Sequence, residues 1–238
     1  MESALLGLLT KTIELFDEIK RVKPSLTARN SVPIIFSGNI AQYEKSPLKI
    51  VTVALNPSSN EFAGVDHRYK LEKLNPKNLF KVCSSYFDVD SAQEVSRWFT
   101  NYEKILMSAD ASYFEGRRNR AIHSDMCSPI VTQKKWQKLG REDRRQLQES
   151  GLQIWKEFVR ILSPDIILMS VKREYRDEIC QNWTEIPISS IPTRSRNVAI
   201  GKLGCSTVVW GRARNTPFMD FNDREKIKIG ETLQSLPR

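Results

Sequence analysis

The feature that most constrains the fold is a run of β-branched and apolar residues, Ile50 to Leu55, that ends at Asn56-Pro57. An apolar run without polar alternation is typical of a parallel strand that is covered on both faces. Pro57 has no amide hydrogen, so the hydrogen-bond ladder ends there. Asn56 is therefore predicted to lie at the carboxyl end of a central strand, where open α/β sheets bind ligands. An ordinary strand-ending Asn-Pro turn is the alternative.

The rest of the chain alternates helix-like and strand-like segments. Helices are predicted at 3–21, near 76–82, at 91–108, at 141–162, from after 170 to about 180, and at 221–235. Strands are predicted at 48–55, 120–125, 165–170 and 205–210. This alternation favours an α/β fold with a mainly parallel sheet and helices on both faces. The length of 238 residues suits a single domain over 1–238.

The composition favours a polyanionic partner. Lys and Arg number 37 against 28 Asp and Glu, which gives a formal net charge of +9, and such an excess attracts polyanions without specifying one. None of the four cysteines forms a C-x-x-C pair, so we predict no metal site and no cofactor. No segment approaches the ~20 apolar residues of a membrane span and we find no signal peptide, so we expect no membrane association and a cytoplasmic location. We also expect a monomer.

Three segments, taken in chain order, carry a resemblance to a known family. They are Ala54–Ser58, Ile122–Ile130 and Val208–Asn215. The first is similar to a motif of a small residue, any residue, Asp or Asn, and Pro. The second is similar to the form His-Asn-Leu-Cys-Pro-Leu, and the third to the loop His-Pro-Ser-Pro-Arg-Asn. Together they resemble the signature loops of the uracil-DNA glycosylase superfamily, and within it a bacterial defence branch that attacks glucosylated hydroxymethylcytosine in bacteriophage DNA.

The resemblance implies a three-layer sandwich around a four-stranded, mainly parallel sheet, and hydrolytic excision of a base that is flipped out of DNA. Asn56 falls in the position that orients the attacking water. An amide accepts a hydrogen bond from water but takes no proton at neutral pH, so we expect a dissociative mechanism, with Glu61 or Asp66 as acids that assist. The resemblance implies His where this chain has Trp210, and we expect Arg212 to supply positive charge instead. A core role at the strand end is the alternative for Trp210.

Four further residues are predicted to bind the base. Asp125 replaces the Asn of uracil readers, and a carboxyl group accepts from the N4 amine of cytosine. Burial that keeps this carboxyl protonated would remove its clash with N3. Small Ser58 leaves room for a substituent at C5, Phe62 offers a stacking face, and His123 points to the same side of its strand as Asp125. The alternatives are a capping or ion-pairing role for Asp125, a loop anchor for Phe62 and a packed histidine for His123.

Basic side chains near the third segment are predicted to bind DNA. Arg214 and Asn215 match the end of the third motif, whose Arg wedges into the duplex, and Arg194 and Arg196 lie in a polar loop suited to phosphates. The sequence thus predicts a monofunctional glycosylase that leaves an abasic site after removing a modified cytosine, in defence against phage. The alternatives are a uracil or mismatch repair glycosylase and a non-catalytic nucleic-acid-binding module of the same fold.

Overall fold

A seven-stranded sheet dominates the part of the chain that the computed structural model describes, residues 1–63, 71, 73–88, 96–188, 196–212 and 216–236. Its strands lie in the order β2-β3-β1-β4-β7-β6-β5. They are β1 Ile50–Ala54, β2 Ala111–Ser112, β3 Asn119–Asp125, β4 Ile166–Met169, β5 Thr184–Pro187, β6 Asn197–Leu203 and β7 Ser206–Trp210. The pairs β1–β4, β4–β7 and β2–β3 are parallel, whereas β5–β6 and β6–β7 are antiparallel. The α/β class and the mainly parallel sheet are therefore confirmed.

The predicted number of four strands was wrong. The four predicted strands are present as the adjacent block β3-β1-β4-β7, and three further strands lie at the two edges. β2 has only two residues, and β5 is largely exposed and ends at Pro187. β6 interrupts its apolar residues with Gly201 and Lys202. Edge strands of this kind lack the continuous apolar run that identifies a covered strand.

The helices are α1 Glu2–Val22, α2 Ile40–Lys45, α3 Ser59–Phe62, α4 Pro76–Ser84, α5 Thr100–Ser108, α6 Arg141–Leu162, α7 Arg173–Asp177 and α8 Asp223–Ser235. The predictions for α1, α4, α6 and α8 are confirmed to within two residues. α8 begins with a capping box, in which Asn222 and Glu225 each accept the other's backbone N–H. The predicted helix at 91–108 is helical from 100, after a 3-10 turn at Arg97–Phe99, and residues 89–95 lie outside the described residues. The short α2 and α3 were not predicted, and α7 ends before Cys180.

The chain divides into two compact units, and each draws on three segments of the sequence. The first comprises Met1–Ile40, Ala54–Tyr86 and His123–Leu162, so it holds α1, α3, α4 and α6. Its core includes Phe36, which stacks on Phe158 at 5.8 Å between ring centroids and meets Phe80 edge-on at 5.9 Å. The prediction of a single domain over 1–238 stays a prediction.

The second unit comprises Ala41–Val53, Phe87–Ile122 and Ser163–Arg238. It holds the sheet apart from the last residue of β1 and the last three of β3, together with α5, α7 and α8. Phe87 stacks on Tyr113 at 4.4 Å in its core, and the Tyr113 hydroxyl lies 2.6 Å from Thr52 Oγ1. Across the described ranges, no helix combines the length and the apolar character that crossing a membrane requires.

Candidate functional site

The ends of β1 and β3 lie side by side. β3 runs parallel to β1. Thr52 contacts Ile122, and further along both segments Met126 N donates to Ala54 O at 2.9 Å. Cys127 N continues the series by donating to Leu55 O, also at 2.9 Å. Parallel neighbours end at the same edge of a sheet. The residues that follow β1 and those that end β3 therefore lie at the same edge of the sheet, which is the edge that the sequence predicts as the site. All of them belong to the first unit.

Asn56 is held through its amide nitrogen. Asn56 Nδ2 donates to Pro57 O and to Thr132 Oγ1, each at 3.1 Å. The carbonyl of Pro57 only accepts, and Thr132 Oγ1 gives its one hydrogen to Lys134 O at 2.7 Å, so the hydroxyl must accept from Asn56. These partners fix which end of the amide is the nitrogen. None of the described residues donates to Asn56 Oδ1, so this oxygen is the acceptor that the amide has left.

Thr132 is a site residue that sequence reasoning missed. Its side chain is 2% exposed, and its backbone forms an antiparallel bridge with Thr27. The neighbouring bonds Ala28 N to Val131 O, at 2.8 Å, and Gln133 N to Leu26 O, at 2.9 Å, hold the segment in place. Thr132 lies 76 positions from Asn56 along the chain. A hydroxyl that follows an apolar stretch carries no local pattern that would have identified this contact.

Asp125 is the last residue of β3 and is partly buried. Burial raises the pKa of its carboxyl group well above the ordinary value of 3.8, and the nearby Glu61 carboxylate raises that pKa further. No hydrogen bond or ion pair joins this carboxyl to another residue in the described part of the chain. A cap or an ion pair, the alternative for Asp125, would leave such a partner. Burial therefore favours the protonated form of this carboxyl group, which presents both a donor and an acceptor.

Glu61 lies in α3 and accepts a hydrogen bond from the Tyr86 hydroxyl. Tyr86 is 1% exposed, and its ring lies 5.7 Å from that of Phe62. This contact fixes α3, and with it Glu61, within the electrostatic reach of Asp125. Asp66, the other acid that was expected to assist Asn56, lies outside the described residues.

Phe62 and Ser58 lie at the two ends of the same short segment. Phe62 is 5% exposed, which favours the loop-anchor alternative over a ring that is ready to stack on a base. Ser58 is exposed, and its carbonyl accepts from Glu61 N and Phe62 N at 3.2 and 3.0 Å. Its hydroxyl does not cap α3. Ser58 thus presents a small side chain at the surface of the loop.

His123 is packed into the first unit. It is 5% exposed, and its backbone exchanges two hydrogen bonds of 2.9 Å with Ser37. Burial lowers the pKa of the imidazole to about 3, so the ring is neutral at physiological pH. The next residue, Ser124, faces the opposite way and accepts from Trp155 Nε1 at 3.0 Å. The packed-histidine alternative is favoured, since a neutral ring supplies no positive charge.

Trp210 and Arg212, the predicted residues of the third segment that the structure describes, belong to the second unit. Trp210 donates its indole N–H to Val171 O at 2.8 Å, and the Arg176 guanidinium lies 4.5 Å from its ring centroid. Both contacts support the core alternative for Trp210. Arg212 is exposed, and no described residue pairs with it. Gly211 comes directly before Arg212. A Cβ added at Gly211 would lie 2.2 Å from the Phe218 ring, so only glycine fits at this position.

The predicted DNA-binding residues have mixed outcomes. Arg196 Nη1 forms an ion pair with Glu225 Oε2 at 2.6 Å, and Glu225 is the acid of the capping box of α8. That partner competes with any phosphate for the Arg196 guanidinium. Arg194, Arg214 and Asn215 lie outside the described residues.

Gly151 is a second residue that sequence reasoning missed. It lies within α6, where a Cβ would come within 2.2 Å of Cys127 O and 2.7 Å of Ser128 Cα. Glycine is usually unfavourable inside a helix. Here it lets α6 support the backbone that follows Asp125. The signal was a glycine in the middle of a strong helix pattern, which often marks close packing.

In the described ranges, no three His, Cys, Asp or Glu side chains gather in a way that would hold a metal ion. No protein-family model matches the chain, and a search of curated proteins finds no match either.

Proposed function

We propose that this protein is a DNA glycosylase of the uracil-DNA glycosylase superfamily that removes a modified cytosine by hydrolysis. One observation carries the proposal. At the shared edge of β1 and β3, the Asn56 amide is locked by its nitrogen with its oxygen unengaged, and a raised-pKa carboxyl group stands at Asp125. Such an arrangement suits a water molecule on one side and the edge of a base on the other.

The chemistry follows from what an amide can do. Asn56 Oδ1 accepts a hydrogen bond from water but takes no proton. The N-glycosidic bond therefore breaks first, its electron pair leaves with the base, and the sugar becomes an oxocarbenium ion. The oriented water oxygen then bonds to C1′, and its proton ends on the departed base or in solvent. The role of Arg212 in offsetting the negative charge on the base stays a prediction, since Arg212 belongs to the second unit and Asn56 and Asp125 to the first.

Base selection is assigned to Asp125. A protonated carboxyl group donates its O–H to cytosine N3, and its carbonyl oxygen accepts from the N4 amine. Uracil presents the opposite pair, an N–H at N3 and an oxygen at position 4, and a protonated carboxyl group matches that pair when its proton is on the other oxygen. The exposed and small Ser58 leaves room for a C5 substituent such as hydroxymethyl or its glucoside. Asp125 thus accepts the Watson–Crick edge of a pyrimidine, and the room at Ser58 favours one that is modified at C5, for which we propose cytosine.

The proposal also includes the expected architecture, oligomeric state and biological role. The block β3-β1-β4-β7 would be the centre of a three-layer sandwich, the protein would act on DNA as a monomer, and defence against phage would be its role. The cytoplasmic location likewise stays a prediction.

A non-catalytic nucleic-acid-binding module is the second candidate. It is favoured by Trp210, whose N–H is already used by Val171 O and which supplies no donor for a leaving base. Both candidates bind DNA, but only the first breaks a glycosidic bond.

The experiment uses four duplexes with cytosine, uracil, 5-hydroxymethylcytosine or glucosylated 5-hydroxymethylcytosine at one position. Alkaline cleavage after incubation measures abasic sites. We expect cleavage at a modified cytosine and none at plain cytosine. Cleavage at uracil alone would support the repair alternative. Binding without cleavage of any duplex would support the binding module.

A further inference from the structure

A cluster of exposed lysines follows Thr132. The lysine loop, Gln133–Lys138, contains Lys134, Lys135 and Lys138, and all three are exposed. None of them pairs with an acidic side chain among the described residues. Asp143 of α6, the next aspartate along the chain, is instead bonded to Lys23 at 3.0 Å. Three like charges are thus kept close together in sequence without neutralisation, which favours a polyanionic partner.

The lysine loop is a fixed platform rather than a loose tail. Trp136 is 3% exposed and anchors a 3-10 turn, Trp136–Lys138, in the first unit. Lys138 N donates to Lys135 O at 2.8 Å, and Gln133 N donates to Leu26 O at 2.9 Å. The buried indole and these backbone bonds hold the lysine side chains on the outer surface. A preformed arrangement loses little conformational freedom on binding.

The lysine loop is also joined to the candidate site. The carbonyl of Lys134 accepts from Thr132 Oγ1 at 2.7 Å, and Thr132 Oγ1 accepts from Asn56 Nδ2 at 3.1 Å. Only two hydrogen bonds therefore separate the Lys134 backbone from the amide that orients water. A phosphate held by Lys134 or Lys135 would lie beside the nucleotide under attack.

We propose that Lys134 and Lys135 bind the phosphates of the DNA strand that carries the extruded nucleotide. The inference rests on the proposed function and adds a binding surface to it. Lysine suits this role because its ammonium group contacts phosphate as a point charge and needs no fixed geometry. The lysine loop would hold the strand while its backbone holds Thr132 and, through it, Asn56.

The test measures binding rather than catalysis, so that it does not depend on the identity of the base. A fluorescent duplex with a central tetrahydrofuran abasic analogue is titrated with protein at several NaCl concentrations from 50 to 300 mM. Fluorescence anisotropy gives Kd, and the slope of log Kd against log salt counts the phosphate contacts. Wild type is compared with Lys134→Gln/Lys135→Gln and with the control Lys156→Gln. Lys156 is an exposed lysine near the other end of α6, about 20 Å along the helix from Arg141.

Loss of two phosphate contacts should reduce the magnitude of the salt slope by about 1.8 and weaken binding at 100 mM salt by about tenfold or more. Lys156→Gln should match wild type, and thermal melting should show all three proteins folded. An unchanged slope in the double variant, with DNA binding intact in wild type, would overturn this inference and leave the proposed function standing. An absence of DNA binding by wild type would overturn both.

Discussion

Asn56 is oriented by contacts to its nitrogen, and this orientation depends on a residue far away in sequence. The chain Asn56 Nδ2, Thr132 Oγ1 and Lys134 O has one donor for each acceptor. A carboxylate at position 56 would face two oxygens, so the surroundings favour an amide. Asp125 has the opposite character, because no described side chain bonds to its carboxyl group and burial raises the pKa of that group. The different surroundings of the two residues therefore suit an amide at position 56 and an acid at position 125.

Thr132→Val should slow base release, because valine has the shape of threonine but accepts nothing from Asn56. The variant removes one of the two acceptors of Asn56 Nδ2, which keeps Pro57 O, and removes the side-chain donor to Lys134 O. Each lost hydrogen bond costs about 0.5–1.5 kcal/mol. We expect a single-turnover rate at least ~10-fold lower at saturating DNA, with Kd for DNA nearly unchanged. Thr132→Ser, which keeps the hydroxyl, should restore the rate. A Ser variant as slow as the Val variant would contradict the positioning role.

Asp125→Asn should stabilise the protein at neutral pH. The folded pKa of Asp125 is raised above 3.8, so the native state binds more protons than the unfolded state above that pH. Stability of wild type is therefore lost as pH rises from about 3.8 through the folded pKa. The melting temperature of the Asn variant should exceed that of wild type at pH 7 by about 2 °C or more, and the excess should shrink towards pH 4. A difference that does not change with pH would show that Asp125 is charged in the folded protein.

Sequence alone predicted the positions of Asn56 and Asp125, because each comes at or just after the end of a strand that the local pattern indicates. Thr132 was missed, since a contact across 76 positions leaves no mark in either segment. The contacts of Trp210 and Arg196 were hard to predict from the sequence for a similar reason. Their partners, Val171 O and Glu225, are set by packing and not by spacing.

At the scale of elements, α6 and the loops after β1 and β3 shape the site. The covered strands β1, β4 and β7 were predictable from apolar runs, and α6 from its periodicity. The antiparallel strands β5 and β6 were not, because β5 is largely exposed and Gly201 and Lys202 interrupt the apolar residues of β6. Gly151 links these elements, since it lets α6 approach Cys127 O.

Gly151→Ala should lower stability, although alanine normally favours a helix over glycine by about 1 kcal/mol. A Cβ 2.2 Å from the Cys127 carbonyl oxygen forces backbone to move, and the displaced segment follows Asp125 directly. Gly7→Ala is the matched control, because Gly7 lies in α1 and a Cβ added there would have nothing within 4 Å. Calorimetry should show a lower melting temperature for Gly151→Ala and an equal or higher one for Gly7→Ala. Equal gains in both variants would mean that α6 and the loop after β3 are not in tight contact.

At the scale of the whole molecule, charge and the candidate site point to the same kind of partner. The formal net charge of +9 favours a polyanionic partner, and the residues at the ends of β1 and β3 form the candidate site for the proposed chemistry. Composition predicted the first property. The second needed the fold, because its residues come from segments between positions 56 and 134 that meet only when the sheet has formed.

The most direct test of the proposed chemistry is mass spectrometry of the base released in a single turnover from DNA that contains glucosylated 5-hydroxymethylcytosine. Wild type is compared with Asn56→Ala and with Asn60→Ala, an exposed asparagine four positions further on in α3. We expect wild type and Asn60→Ala to release the intact modified base, and Asn56→Ala to release it at least ~100-fold more slowly. Release at the wild-type rate by Asn56→Ala, or no free base from any of the three, would contradict the assignment of Asn56 as the residue that orients water.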